Sequence, residues 1–206
     1  MSLFPIFVKL QRRLVVVVGG GEIAAGKIEG LLGAGARVRV IAPEVHALFA
    51  EPIRNRKIEW LPREFAAGDL CGATLVIAAT SSTGVNASVF REAEARGILC
   101  NAVDDIENCH FYYGSIVQRG DLQVAISTNG KSPALAQRLR QELEQQFGPE
   151  YEVWLEWLGA ARELLRAADG GGTESNKQML RYLASKPMFE RFVKESRKPS
   201  SQHGAA

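Results

Sequence analysis

The stretch LVVVVGGGEIAAGKIEGLLGAGARVRVIAP, from Leu14 to Pro43, constrains the fold more than any other part of the chain. Leu14 to Val18 is apolar and β-branched on both faces, as a strand buried in a parallel sheet would be. Gly19, Gly20 and Gly21 then permit a tight turn without Cβ clashes. From Glu22 the period becomes helical. Ile23, Ala24, Ile28, Leu31 and Leu32 recur at helical spacing, and Gly35 is placed to stop the helix. Val38 to Ile41 is the next buried strand. The whole reads as a βαβ unit of about 30 residues, with glycines where strand becomes helix.

Backbone N–H groups at such a helix start point at whatever occupies the turn, and the helix dipole favours an anion there. A pyrophosphate suits that place. The motif is Gly19-x-Gly21-x-x-Ala24, and alanine serves at the third position because only close helix–strand packing is needed. The expected cofactor is a nicotinamide dinucleotide. Gly19, Gly20, Gly21, Glu22 and Ile23 are expected to contact it at the turn, and Ala42 and Pro43 at the end of the second strand. An acid that binds the adenosine ribose is usual at that strand end. Here Glu44 is the nearest acid, and two roles stay open to it, ribose ligand or solvated loop residue. This strand end alone does not separate NAD from NADP.

The alternation continues. Ile58 to Leu61 is a short third strand, and Leu75 to Ala79 a buried fourth, ending in Thr80-Ser81-Ser82. Val85 to Ala95 reads as a helix closed by Gly97, and Ile98 to Val103 as a fifth strand ending in Asp104-Asp105. Strands alternating with helices imply an α/β class, a Rossmann-like parallel sheet that binds ligands across the carboxyl ends of its strands. That places Thr80, Ser81, Asn101 and Asp104 near a reacting carbon, with Thr80 and Asn101 expected to contact the cofactor. A carboxylate there can accept a proton as a hydride leaves, and Asp104 is favoured over Asp105 because successive residues at a strand end point oppositely.

After residue 113 the pattern changes. Gly114 to Gln118, Arg119-Gly120-Asp121 and Leu122 to Ser127 read as a β-hairpin. Ser132 caps a helix with Pro133 at its first position, and Leu135, Leu139, Leu143 and Phe147 form one stripe ended by Gly148-Pro149. A hairpin and one helix are too small to stand alone, and a second copy is a natural partner. From Glu150 the pattern is helical and broken at Gly170-Gly171-Gly172. Trp154, Leu155, Trp157, Leu158, Leu164 and Leu165 are expected to supply its apolar face. The organisation expected is 1–113 nucleotide-binding, 114–148 dimerisation, 149–197 helical, and 198–206 a disordered tail.

A formal net charge of +2 is too balanced to predict a nucleic-acid or anionic-membrane partner. No apolar run approaches the roughly 20 residues of a membrane helix, and the N-terminus does not read as a signal peptide. Cys71, Cys100 and Cys109 are an odd, scattered set, which fits a reduced cytoplasmic compartment. Cys109-His110 lacks the spacing of a zinc site, so no metal site is expected. His110 lies near the substrate or is a packed or solvated loop residue, and both readings stay open. Trp60, Trp154 and Trp157 read as core rather than as a cofactor platform.

The chain resembles the precorrin-2 dehydrogenase family, the N-terminal module of siroheme synthase, over essentially its whole length. The resemblance rests on Pro5-Ile6-Phe7, Val18-Gly19-Gly20-Gly21 with Ala24 and Lys27, Ala79-Thr80 with Val85-Asn86, and Asn101-Ala102-Val103-Asp104. It rests above all on the hairpin followed by Ser127-Thr128-Asn129-Gly130-Lys131-Ser132-Pro133-Ala134-Leu135-Ala136. It implies NAD-dependent oxidation of precorrin-2 to sirohydrochlorin in the cytoplasm, a homodimer formed through the hairpin and helix, and a small helical C-terminal domain. Asp104 matches the family's key aspartate, linked to dehydrogenation and, in bifunctional members, to ferrochelatase activity. Thr128, Lys131 and Ser132 are expected to bind the tetrapyrrole, a substrate rich in carboxylates, with Arg119 and Arg138 either further cations for it or ordinary solvated surface charge.

The departures are few. Tyr113 runs into Gly114 where the family often has a proline, and Thr128 stands where some members have a phosphorylatable serine. The helical domain is short, and no methyltransferase region is expected after residue 206. The competing reading is a non-catalytic NAD(H)-sensing Rossmann regulatory domain. Such a domain would normally end its second strand with an acid and would not need the Asn-x-x-Asp and Lys-Ser-Pro blocks.

Overall fold

A computed structural model of the chain describes residues 3–169 and 173–196. The glycine break at 170–172 and the tail at 198–206 lie outside the described residues. The chain divides into two units, Met1–Tyr112 and Tyr113–Ala206.

The first unit is a parallel sheet wrapped by helices. Its strands are β1 (Leu14–Val18), β2 (Arg37–Ile41), β3 (Ile58–Leu61), β4 (Leu75–Ala78) and β5 (Leu99–Ala102). The helices are α1 (Glu22–Gly33), the short α2 (Ala50–Arg54) and α3 (Thr83–Arg96). The strand order is β3-β2-β1-β4-β5, all parallel. Chain direction explains the order. From central β1 the chain builds outward to β2 and β3, then crosses back through residues 62–74 to lay β4 and β5 on the other side. The carboxyl ends of β1 and β4 thus diverge at a topological switch point, where open α/β sheets bind ligands.

Alternate residues of each strand feed the two faces. Val15, Val17, Val38, Val40 and Ile77 pack with Ala24, Ile28 and Leu31 of α1. Val16, Val18, Val76 and Ala78 pack with Val89 and Ala93 of α3 and with Leu70 of the crossing segment. A bidentate pair holds that segment: Arg63 donates to both oxygens of Asp69 at 2.7 and 2.6 Å. The Gly68 N–H donates to the Glu92 carboxylate. One member of the expected α1 stripe departs: Ile23 is 55% exposed at the first turn.

The second unit holds β6 (Ser115–Arg119) and β7 (Leu122–Ile126), an antiparallel pair, and the helices α4 (Pro133–Gln146), α5 (Glu150–Asp169), α6 (Glu174–Leu183) and α7 (Lys186–Ser196). Arg119 pairs with Leu122, so the turn is Gly120-Asp121 alone rather than the three residues expected. Gly120 has φ +54°, the sign that a type II′ hairpin turn places at its first central residue. Trp154 is buried, with Tyr151 and Phe189 against its ring at 5.8 and 4.8 Å. The expected apolar face of α5 is only partly covered: Trp157 is 40% and Leu164 72% exposed. Among the described residues, no helix is long and apolar enough to cross a membrane.

Candidate functional site

The three glycines after β1 do different work. Gly19 has φ +118°, and a Cβ there would lie 2.2 Å from the Ala79 carbonyl oxygen. A Cβ on Gly20 would lie 2.0 Å from the Glu44 carbonyl oxygen, and the Gly20 carbonyl accepts from the His46 N–H at 2.7 Å. These two let the turn nestle between the ends of β2 and β4. A Cβ on Gly21 would meet nothing within 4 Å. Gly21 is the N-cap of α1, and no side chain caps the helix there. The unpaired N–H groups of the first turn therefore meet open space beside a residue without a side chain. Ala24 is fully buried, which is the close packing required at the third small position. The donor set fits a dinucleotide diphosphate: main-chain amides, a helix N-terminus and room for close approach.

At the end of β2, Ala42 is buried with both backbone groups engaged. Its N–H donates to Leu61 at 3.3 Å, and its carbonyl accepts from the Trp60 indole at 3.0 Å. Pro43 has no N–H, so both residues can offer wall but no donor. Trp60 thus fastens this strand end, a job its sequence context did not signal. Glu44 is exposed.

At the end of β4, Asn86 on α3 is 4% exposed and closes on Thr80 from three sides. Its Oδ1 accepts from the Thr80 N–H at 3.2 Å and the Thr80 hydroxyl at 2.8 Å, while its Nδ2 donates to the Thr80 carbonyl at 3.1 Å. Ser82 caps α3 by accepting from the Val85 N–H. The signal for Asn86 was an amide one turn into a helix that follows a strand end.

At the end of β5, Asp104 is exposed with φ +59°. Left-handed backbone is costly for a residue with a Cβ and gathers at functional sites. No hydrogen bond or ion pair engages the Asp104 carboxylate among the described residues. Asp105 is occupied instead: its carboxylate accepts from the Asn108 N–H at 3.3 Å and Asn108 Nδ2 at 2.6 Å, capping a short 3-10 turn over Ile106–Asn108. The Asn101 amide turns inward, beneath the strand end. The residue is 8% exposed, and its Nδ2 donates inward to the Phe111 carbonyl at 2.9 Å and to Cys109 Sγ at 3.4 Å.

His110 is exposed at the surface, with its side chain 25% exposed and its ring engaged on three sides. Its ring stacks on Phe90, Nδ1 accepts from the Cys100 N–H at 3.0 Å, and Nε2 contacts the Glu94 carboxylate. Burial pushes the Cys100 thiol up to about 12, with Cys109 adding to the shift. Burial also raises Cys109. Both thiols are thus held in the protonated form more firmly than a free cysteine.

In the second unit, the hydroxyls of the 127–133 loop are turned onto the loop itself. Thr128 Oγ1 donates to the Ser132 carbonyl at 3.1 Å and accepts from the Ser132 N–H at 3.2 Å. Ser132 Oγ caps α4 by accepting from the Leu135 N–H. Asn129 and Gly130 bring Lys131 round with φ +52° and +74°. Lys131 is exposed and has no ion-pair partner among the described residues. Arg119 caps α4: Nε donates to the Phe147 carbonyl at 2.8 Å and Nη2 to the Glu144 carbonyl at 3.1 Å. Arg138 pairs with Glu142 at 3.2 Å along α4.

Residues 6–115 match a family described as putative NAD(P)-binding, and residues 119–146 one described as sirohaem biosynthesis protein central. The chain is 42% identical over 171 residues to siroheme synthase 1 of Serratia proteamaculans, covering 81% of this chain and 36% of that protein. It is 46% identical over 167 residues to siroheme synthase 1 of Yersinia enterocolitica, covering 79% of this chain and 35% of that protein. The chain thus spans about a third of the length of these curated relatives. A solved structure described as SirC, precorrin-2 dehydrogenase, is similar with a TM-score of 0.76 and 25% identity, over 94% of this chain and 98% of that one. The glycine turn, the sheet order and the length of the first match agree: the chain belongs to the putative NAD(P)-binding family, followed in sequence by a sirohaem-biosynthesis central segment.

Proposed function

We propose that this chain oxidises precorrin-2 to sirohydrochlorin in siroheme biosynthesis, with NAD as the oxidant. The likeness to siroheme synthases and to a precorrin-2 dehydrogenase supports the substrate. The observation that carries the chemistry is the open, uncapped helix start at Gly21 in the same unit as the unpartnered Asp104 carboxylate. Bound NAD supplies a two-electron hydride acceptor. The amides of the first turn of α1 hold its diphosphate, with Gly19, Gly20, Glu22 and Ile23 shaping the turn and Ala42 and Pro43 the adenosine side. Thr80, held by Asn86, lines the redox end, and Asn101 acts there through the segment it anchors.

Oxidation breaks a substrate C–H bond whose electron pair leaves as hydride, and a second hydrogen leaves as a proton. Asp104 accepts that proton. Its carboxylate needs no rearrangement to do so, whereas Asp105 would first have to release Asn108. We assign pairing with substrate carboxylates to the Lys131 ammonium, in a loop shaped by Thr128 and Ser132. Pairing of two copies through the hairpin and α4, where Ile116 and Leu135 are 47% and 40% exposed, completes the reading, with a cytoplasmic location that keeps the thiols reduced.

The test mixes purified protein, precorrin-2 and NAD and follows the sirohydrochlorin spectrum. Growth of that spectrum is expected. Asp104→Ala is expected to lower kcat by about a hundredfold or more, with NAD affinity within about twofold. A flat spectrum with tight NAD binding would favour the NAD(H)-sensing alternative, and a normal rate in the variant would remove Asp104 as the base.

A further inference from the structure

Resting on the proposed oxidation for its kinetic arm, we propose that His110 is a positioning residue that fastens the chain after Asp104 to β5 and α3, and so fixes the turn presenting the Asp104 carboxylate. β5 is an edge strand, and its outward N–H and C=O groups need partners. The chain beyond Asp104 folds back to supply them. Asn101 and Cys109 form an antiparallel bridge. At Cys100 a single residue answers both outward groups. The His110 N–H donates to the Cys100 carbonyl at 2.8 Å, and the Cys100 N–H donates to His110 Nδ1 at 3.0 Å.

Because Nδ1 accepts, the imidazole proton is on Nε2, which donates to the Glu94 carboxylate. The ring also stacks on Phe90, centroid to centroid 4.9 Å with planes 28° apart. Phe90 and Glu94 lie one turn apart on α3. His110 is thus tied to the sheet by one ring nitrogen, to a helix by the other, and to that helix again by its face. Asn101 adds a fourth tie through the Phe111 carbonyl.

Between β5 and this clasp lies the turn that carries Asp104. Its near end is held where the Val103 N–H donates to the Ala78 carbonyl at 2.9 Å. Its left-handed backbone persists only where the surroundings over-determine it. Among the described residues no hydrogen bond or ion pair holds the Asp104 carboxylate, so its direction follows from a backbone that the Asp105 N–H to Ala102 carbonyl bond and the Cys109 Sγ contacts fold and that the His110 clasp fastens to β5 and α3. Removing the clasp leaves the carboxylate chemically intact and removes its aim.

The experiment compares His110→Phe, His110→Asn and His110→Gln. Phenylalanine keeps the stacking and loses both nitrogens. Asparagine can place an oxygen where Nδ1 stood and so accept from the Cys100 N–H, while glutamine reaches only towards Nε2. The first readout is hydrogen exchange of the Cys100 amide and of residues 103–108 in protein without dinucleotide. His110→Phe is expected to speed it about tenfold or more, and His110→Asn to return it to within about threefold. The second is kinetic: His110→Phe is expected to lower kcat for precorrin-2 oxidation about tenfold with KM for NAD within about twofold, His110→Asn to recover most of it, and His110→Gln not. Unchanged exchange and kcat in His110→Phe, or His110→Asn behaving like His110→Phe, overturns the assignment. No oxidation by the unsubstituted protein strikes the proposed activity instead, and exchange over 103–108 then still decides whether His110 holds the turn.

Discussion

In the first unit, Val15 to Val18 and Val76 to Ala78 are 0–1% exposed, sandwiched by helices on both faces; in the second, Trp157, Leu164, Met179 and Tyr182 are 40–72% exposed. Among the described residues of the second unit, the buried apolar side chains are Val117, Ala136 and Trp154. The contrast follows from architecture. A parallel sheet between two helical layers buries both faces of its strands, whereas a two-stranded sheet has little interior to offer. The first unit therefore carries its own stability. The second holds its shape mainly through backbone caps and an aromatic cluster of Phe147, Tyr151, Trp154 and Phe189.

This difference can be broken most severely at Gly19. A Cβ there overlaps the Ala79 backbone, so Gly19→Ala is expected to cost about 4 kcal/mol or more by denaturant unfolding and to abolish dinucleotide binding. Next comes Ile77→Ala, which empties a fully buried site between the sheet and α1. It should cost about 3 kcal/mol, whereas Trp157→Ala on the exposed face of α5 should cost under about 1 kcal/mol in the same assay. Equal losses at the two sites would erase the distinction between the units. Gly21→Ala sharpens it from the other side: the added methyl meets no protein atom, so stability should change by no more than about 1 kcal/mol while calorimetry shows NAD affinity falling about tenfold.

The smallest effect is acid-linked. The Arg63 hydrogen bonds hold the Asp69 carboxyl below its usual range, against an opposing push from burial. A lowered folded-state value contributes stability above the unfolded carboxyl value near 4 and loses it as pH falls through the folded one. The Tm gap between the unsubstituted protein and Asp69→Asn should therefore shrink from about pH 5 towards about pH 3. A constant gap would remove the ion pair as a stabiliser of the 62–74 crossing.

Much of the first unit was legible because its signals are local. An apolar β-branched run, glycines and a helical stripe are each read within about 15 residues, and they located the turn and the strand ends, including Asp104. Their boundaries shifted by a residue: the fourth strand ends at Ala78 and the fifth spans Leu99–Ala102. What stayed hidden depends on partners distant in sequence. Nothing near Arg119 says that its guanidinium will meet the carbonyls of Glu144 and Phe147. Nothing near Asn101 says that its amide will anchor Phe111. Polar side chains with several possible roles are assigned by the fold, whereas apolar periodicity announces itself. Leu164 shows the limit of periodicity too, because a stripe predicts one side of a helix but not whether anything covers it.

The Arg119 cap has a mechanical consequence. By gripping the last carbonyls of α4 from the end of β6, it welds the ribbon and the helix into one lever, since a tilt of either member must carry the other or break charge-assisted bonds. The far end of that lever is Ser132, where α4 begins beside Lys131. A push on the ribbon is thereby delivered to a lone ammonium one helix-length away.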